Sequence, residues 1–278
     1  MKTISVNSDT YYTNAIGAAL QWQLWAFCLS RLYNKNYYFN GFKRIEHFEF
    51  ENMESKDFDF SFDKFFNLKK HSVASTNKIL KIYDNPETGI QEKSVYKNRR
   101  MIQRTFDRNI NKIYKKNIFL ELKQEIKKSK FIVSNAINVS IHLRVLNSLD
   151  LEFEDIDSFK LFNRDPNSVR RVNRLIQQIE QKYSSKKIIF HIVIQNPDKK
   201  LKEIKVSNSI NFLKVHSDLN VYESLRLLIS SDILVCSNSS FSYVAHIISG
   251  SESYFSSDFR YKIYPNSRYY DNFGNILI

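Results

Sequence analysis

Two short stretches of the chain set polar chemistry among apolar residues. Residues 139–148, VSIHLRVLNS, place His142 and Arg144 at the end of an otherwise apolar run, two positions apart and so on one face of a strand. Residues 233–249, ILVCSNSSFSYVAHIIS, break from an apolar run into Ser and Asn and then turn apolar again. A guanidinium in apolar surroundings is costly without an anion, and its fork of donors matches a diphosphate. A helix N-terminus presents unpaired N–H groups and a partial positive charge, so it stabilises a phosphate without a metal. Ser239 and Ser240 serve equally as plain helix caps, since Ser and Asn are favoured there with or without a ligand. A third stretch, DFDFSFD at 57–63, gives Asp57 and Asp59 the D-x-D spacing by which one class of sugar transferases holds a divalent metal. Phe packed inward and Asp outward, in an edge strand or loop, accounts for the same pattern.

The elements that must carry these residues follow from periodicity. Residues 136–143, 187–194, 211–215 and 232–236 have the apolar runs of strands, and 167–183, 222–230 and 241–248 the pattern of helices. That alternation implies an α/β segment with a parallel sheet, whose ligands gather at the carboxyl ends of its strands. The stretches holding Arg144 and Ser239 then belong to two strand ends of one sheet, and both suit phosphate. Upstream, 2–6 and 37–40 read as strands and 15–32 as a long apolar helix containing Gly17. Residues 93–130 read as a basic helix, with Ile102, Phe106, Ile110, Ile113, Ile118 and Leu122 on one face and Arg and Lys on the other. A boundary near residue 130 separates an N-terminal domain, 1–130, from a C-terminal domain, 131–278.

Composition narrows the classes. The 278 residues are 42% hydrophobic with 22 Phe and 16 Tyr, too apolar for a disordered chain. Five Gly and four Pro are too few to punctuate an all-β sandwich, which favours strands separated by helices. Cys28 and Cys236 both lie in apolar runs and form no disulfide framework, so they are expected as core side chains in a reducing cytoplasm. No run of about 18 apolar residues spans a membrane and the first ten residues lack a signal-peptide core, so a soluble chain is expected. Forty-two Lys and Arg against 29 Asp and Glu leave a net charge of +13 and predict affinity for a polyanion. The basic face of 93–130 suits solvent, an acidic acceptor or peripheral contact with an anionic membrane. Nucleic acid ranks last, because aromatics are not interleaved with the bases and no nucleic-acid motif is present.

The pairing of H-x-R at a strand end with the later Asn238-Ser239-Ser240-Phe241-Ser242 loop and helix resembles the α1,2/α1,6 and protein-O fucosyltransferase superfamily. The resemblance covers mainly 138–144 and 222–248, with weaker support from NAIGAALQWQLWAFCLSRLYNK at 14–35. It implies the GT-B fold of two Rossmann-like domains whose parallel sheets face across a cleft. It implies an inverting, metal-independent transferase that needs no cofactor, takes GDP-fucose as the nucleotide-sugar donor, and delivers the sugar to a glycan or lipid-linked glycan hydroxyl. By the same resemblance Arg144 grips the donor diphosphate and is the catalytic residue, and His142 lies against the nucleotide. Asn238, Ser239, Ser240 and Phe241 form the phosphate loop and helix start, and Glu223 lies near the family's acidic guanine contact. The chain departs from the family's H-x-R-R-x-D by carrying Val145 and Asn147, and it keeps only Gly17 of a doubled glycine. A transferase with another donor, or a noncatalytic nucleotide- or polyanion-binding module, fits the same residues.

Overall fold

The computed structural model describes residues 3–5, 14–39, 45–46, 64–73, 95–144, 168–194 and 199–277. DFDFSFD, with Asp57 and Asp59, lies outside the described residues, as do Val145 and Asn147. The chain divides into two units: residues Met1–Lys127, Tyr243–Gly250 and Tyr261–Tyr264 form one, and Lys128–Ser242, Ser251–Arg260 and Pro265–Ile278 the other.

In chain order the first unit carries β1 (Thr3–Ser5), β2 (Asn14–Ala15), α1 (Ile16–Leu32), β3 (Asn36–Tyr38), β4 (Ile45–Glu46), α2 (Val95–Lys115) and α3 (Leu120–Glu125). β1 pairs with β3 and β2 with β4, both in parallel. α1 is apolar nearly all round and is correspondingly buried, with Leu24, Trp25, Phe27, Cys28 and Leu29 shut off from solvent. The basic stretch expected as one helix over 93–130 is two. Asn117 adopts a left-handed φ of 52° and its N–H donates to the Tyr114 carbonyl, which ends α2 before α3 restarts at Leu120. Along α2, Ile102, Phe106, Ile110 and Ile113 are buried, while Arg104, Arg108, Lys112 and Lys115 face solvent.

The second unit supplies β5 (Ile137–Leu143), α4 (Ser168–Lys182), β6 (Ile188–Ile194), β7 (Phe212–His216), α5 (Val221–Ser230), β8 (Ile233–Val235), the start of α6 (Ser240–Ser249), β9 (Glu252–Ser256) and β10 (Arg268–Tyr270). Residues 243–249 of α6 group with the first unit, where the helix stops at Gly250. That residue has φ +62°, and a Cβ there would stand 2.2 Å from the Phe119 ring. The six strands form one sheet in the order β10-β9-β8-β5-β6-β7, with every neighbouring pair parallel. Counted in chain order from the β7 edge this is 3-2-1-4-5-6, the doubly wound arrangement of Rossmann folds. β9 and β10 are additions to the strands expected from the sequence; at five and three residues, and rich in Ser and Tyr, they carry too little apolar periodicity to stand out.

β6, IIFHIVI, is buried at every position, as a central strand covered on both faces must be. β5 divides its faces. Val139, Ile141 and Leu143 join Val172, Leu175, Ile176 and Ile179 of α4 in the core, whereas Asn138, Ser140 and His142 alternate with them and are hydrogen-bonded. At the outer edge, β7 leaves Phe212 and Val215 nearly half exposed, with the Lys187 ammonium 4.8 Å from the centre of the Phe212 ring.

Candidate functional site

The chain order of the strands reverses direction between β5 and β8, and at such a switch point the following loops diverge and leave a crevice at the strands' carboxyl ends. The polar stretches singled out in the sequence flank this point. His142 and Arg144 end β5, and Ser237 and Asn238 follow β8. Together with the start of α4 they bound a cavity of about 60 Å³ whose walls also include Arg171, Asp258 and Tyr270.

Each wall has a local cause. The β5–β8 ladder runs from the Val139–Ile233 pair to the Ile141–Val235 pair, so His142 lies one step past the last pair, beside the loop after β8. Its Nδ1 meets two hydroxyls, Ser237 Oγ at 2.8 Å and Ser242 Oγ at 2.5 Å, which are 3.2 Å from each other. The Phe241 ring packs on the imidazole at 5.4 Å between centroids. Burial, and secondarily the Arg144 charge, push the His142 pKa down to about 3, so the ring is neutral at physiological pH. A neutral imidazole that accepts at Nδ1 carries its proton on Nε2 and is a donor there. The loop before α6 is drawn tight by the Ser239 N–H, which donates to the Ser237 carbonyl at 2.8 Å. Ser239 then caps the helix, its Oγ accepting from the Phe241 N–H at 3.2 Å. Behind the loop, the Tyr270 hydroxyl donates to the Cys236 carbonyl at 3.1 Å. The Cys236 thiol is buried and its pKa pushed well up, which makes it an inert core side chain.

The sequence-expected residues fall in three groups. His142, Arg144 and Asn238 line the cavity. Ser239, Ser240 and Phe241 build its α6 rim from behind: Ser239 is buried as the cap, Ser240 opens the helix, and Phe241 packs on His142. Glu223 is not among the lining residues. It sits in the first turn of α5, where its N–H donates to the Asn220 cap and its carboxylate pairs with Lys130 at 3.0 Å. A helix-start carboxylate with a lysine partner has a structural explanation of its own. Sequence reasoning missed Ser237, Ser242, Ser168 and Arg171. The hydroxyls could have been found from His142, because a half-buried neutral histidine at a strand end needs partners for its ring nitrogens. The α4 residues carry no such signal.

Among the described residues no group of His, Cys, Asp and Glu is arranged to hold a metal, and no helix is long and apolar enough to cross a membrane. No protein-family model and no curated protein matches the chain. Among solved structures it is similar to POFUT1 in complex with GDP-fucose, at 10% identity, covering 94% of this chain and 98% of that one, with a TM-score of 0.40. It is likewise similar to POFUT1 in complex with GDP, at 13% identity over 91% of this chain and 98% of that one, with a TM-score of 0.39. The E. coli heptosyltransferase WaaC with ADP shows 10% identity over 99% of this chain and 95% of that one, with a TM-score of 0.41. These likenesses are remote, and the case for function is built on the residues of the site.

Proposed function

We propose that the chain is a GT-B glycosyltransferase that moves a sugar from a nucleotide-diphospho-sugar to a glycan hydroxyl with inversion and without a metal, GDP-fucose being the favoured donor. The supporting observation is the convergence, at the switch point of a Rossmann-ordered sheet, of a guanidinium, a neutral imidazole and a capped helix start. Transfer requires that the departing nucleoside diphosphate be stabilised as its negative charge grows. Arg144 supplies a fixed positive charge, and the N-terminus of α6 supplies oriented N–H groups. His142, clamped by Ser237 and Ser242, has one orientation and acts as a positioned donor; it does not neutralise the phosphates. A noncatalytic nucleotide-binding module is the second reading, because Val145 and Asn147 stand where the resembling family has Arg and Asp.

A thermal-shift panel of GDP, UDP, ADP and CMP, followed by transfer from the matching nucleotide-sugar in excess EDTA, tests the proposal. A GDP-selective shift is expected, with transfer unchanged by EDTA and by the Asp57→Asn, Asp59→Asn double substitution. Binding without transfer favours the noncatalytic module. Activity that vanishes with EDTA and returns with Mn²⁺ overturns metal independence.

A further inference from the structure

The cavity has a rim that the fucosyltransferase-like motifs do not explain. α4 begins at Ser168, and Ser168 lines the cavity together with Arg171, one turn further along. Ser168 is 3% exposed, and its Oγ is shut off from solvent without a hydrogen-bond partner. A buried hydroxyl that meets nothing is uncommon and costly, and here it stands at the first residue of a 15-residue helix. Arg171 is held against the wall by its Nε, which donates to the Asn272 carbonyl at 3.1 Å. Among the described residues the charged side chains of the lining are the Arg144 and Arg171 guanidinia and the exposed Asp258 carboxylate, so positive charge prevails there. At about 60 Å³, the space is several times the roughly 10–15 Å³ that a single water needs, which suits an oxyanion.

We propose that the start of α4 is a second oxyanion position of this cavity, where Ser168 donates its hydroxyl and Arg171 supplies charge to a phosphoryl group of the donor diphosphate. The assignment to a donor rests on the glycosyltransferase reading; the oxyanion position itself rests on the cavity. Arg144 and Arg171 then hold the diphosphate from two elements, β5 and α4, so it is bound across the core that joins them.

Calorimetric titration of the full chain with inorganic pyrophosphate, and separately with GDP, tests this in the parent, Ser168→Ala, Arg171→Gln and Arg174→Gln. Arg174 is the control, because its exposed side chain bonds to Asn275 and Gln177. Ser168→Ala is expected to weaken pyrophosphate binding about 10-fold and Arg171→Gln about 10- to 100-fold. Arg174→Gln is expected to change nothing. Without ligand, Ser168→Ala should melt no lower than the parent, since it gives up no hydrogen bond. Pyrophosphate that fails to bind the parent, or binds Ser168→Ala and Arg171→Gln as tightly, overturns the proposal. If GDP binding and transfer need Arg144 and ignore both α4 substitutions, the second position falls while the glycosyltransferase reading stands. If pyrophosphate binding falls on both substitutions in a protein that transfers no sugar, the position stands and that reading falls.

Discussion

On the α6 rim of the cavity, three serine hydroxyls are engaged within the protein, half-buried Ser240 being the exception: Ser237 and Ser242 meet at Nδ1 of His142, and Ser239 caps the helix. On the α4 rim, Ser168 is buried as deeply and bonds to nothing. The conspicuous cluster is therefore mostly a frame. It spends its hydroxyls on orienting one imidazole and closing one loop, whereas the isolated serine keeps its donor in reserve. A site needs both kinds, since a group held in place beforehand costs no reorganisation when a charged ligand arrives.

The largest effect is expected where charge and not framing is removed. Arg144→Ala should lower transfer by about 2 to 4 kcal/mol of transition-state stabilisation, roughly 30-fold to 1000-fold in rate, with circular dichroism and melting unchanged. Near-normal turnover in the folded variant would move the anion site to the α4 rim alone.

Acid should strain the framed rim through its histidine. His142 takes a proton only near pH 3 when folded, against about 6.5 when unfolded, so its contribution is complete above pH 6.5 and is lost as pH falls from 6.5 towards 3. His191, pushed down to about 4, and His246, pushed down to about 3, act with the same sign. Asp107 opposes them: burial pushes it up to about 6, so it favours the fold as pH falls through 6 towards its ordinary 3.8. The melting temperature is expected to drop steadily from pH 7 to 4.5, and His142→Gln should make that slope shallower. A flat profile would contradict the neutral clamp.

The smallest effect separates neighbouring serines. Ser239→Ala removes the α6 cap and should cost about 1 kcal/mol of stability by chemical denaturation. Ser240→Ala, whose hydroxyl makes no hydrogen bond in the described structure, should cost almost none. Equal losses would show that the cap is shared and blur the division between framing and donating residues.

The legible parts of this molecule are those with long apolar runs. β5, β6 and β8, and the helices α4, α5 and α6, announce themselves by period, and a polar residue ending such a run marks a strand end. That logic leads to His142, Arg144 and Asn238 at the cavity wall. It fails for β9 and β10, which are too short and polar, and for the break at Asn117, where one left-handed residue interrupts a continuous pattern. It also misses Ser168 and Arg171, because a serine and an arginine at the start of an amphipathic helix look like a solvated end. Only the folded position of α4 against the ends of β5 and β8 shows otherwise. Glu223 illustrates the reverse: its motif position draws attention, and its carboxylate is paired with Lys130.

The open edge at β7 has a consequence for the protein as a substance. Among the described residues no strand pairs with its outer side, and that side carries nearly half-exposed Phe212 and Val215 on a strand ready to template another. The guards are charges: exposed Lys214 within the strand, and the Lys187 ammonium over the Phe212 ring. Charges guard only as far as they are felt, and the screening distance shrinks from about 10 Å at 0.1 M salt to about 3 Å at 1 M. Storage at high ionic strength thus removes the deterrent while leaving the sticky strand in place, so concentrated stocks keep better in dilute salt.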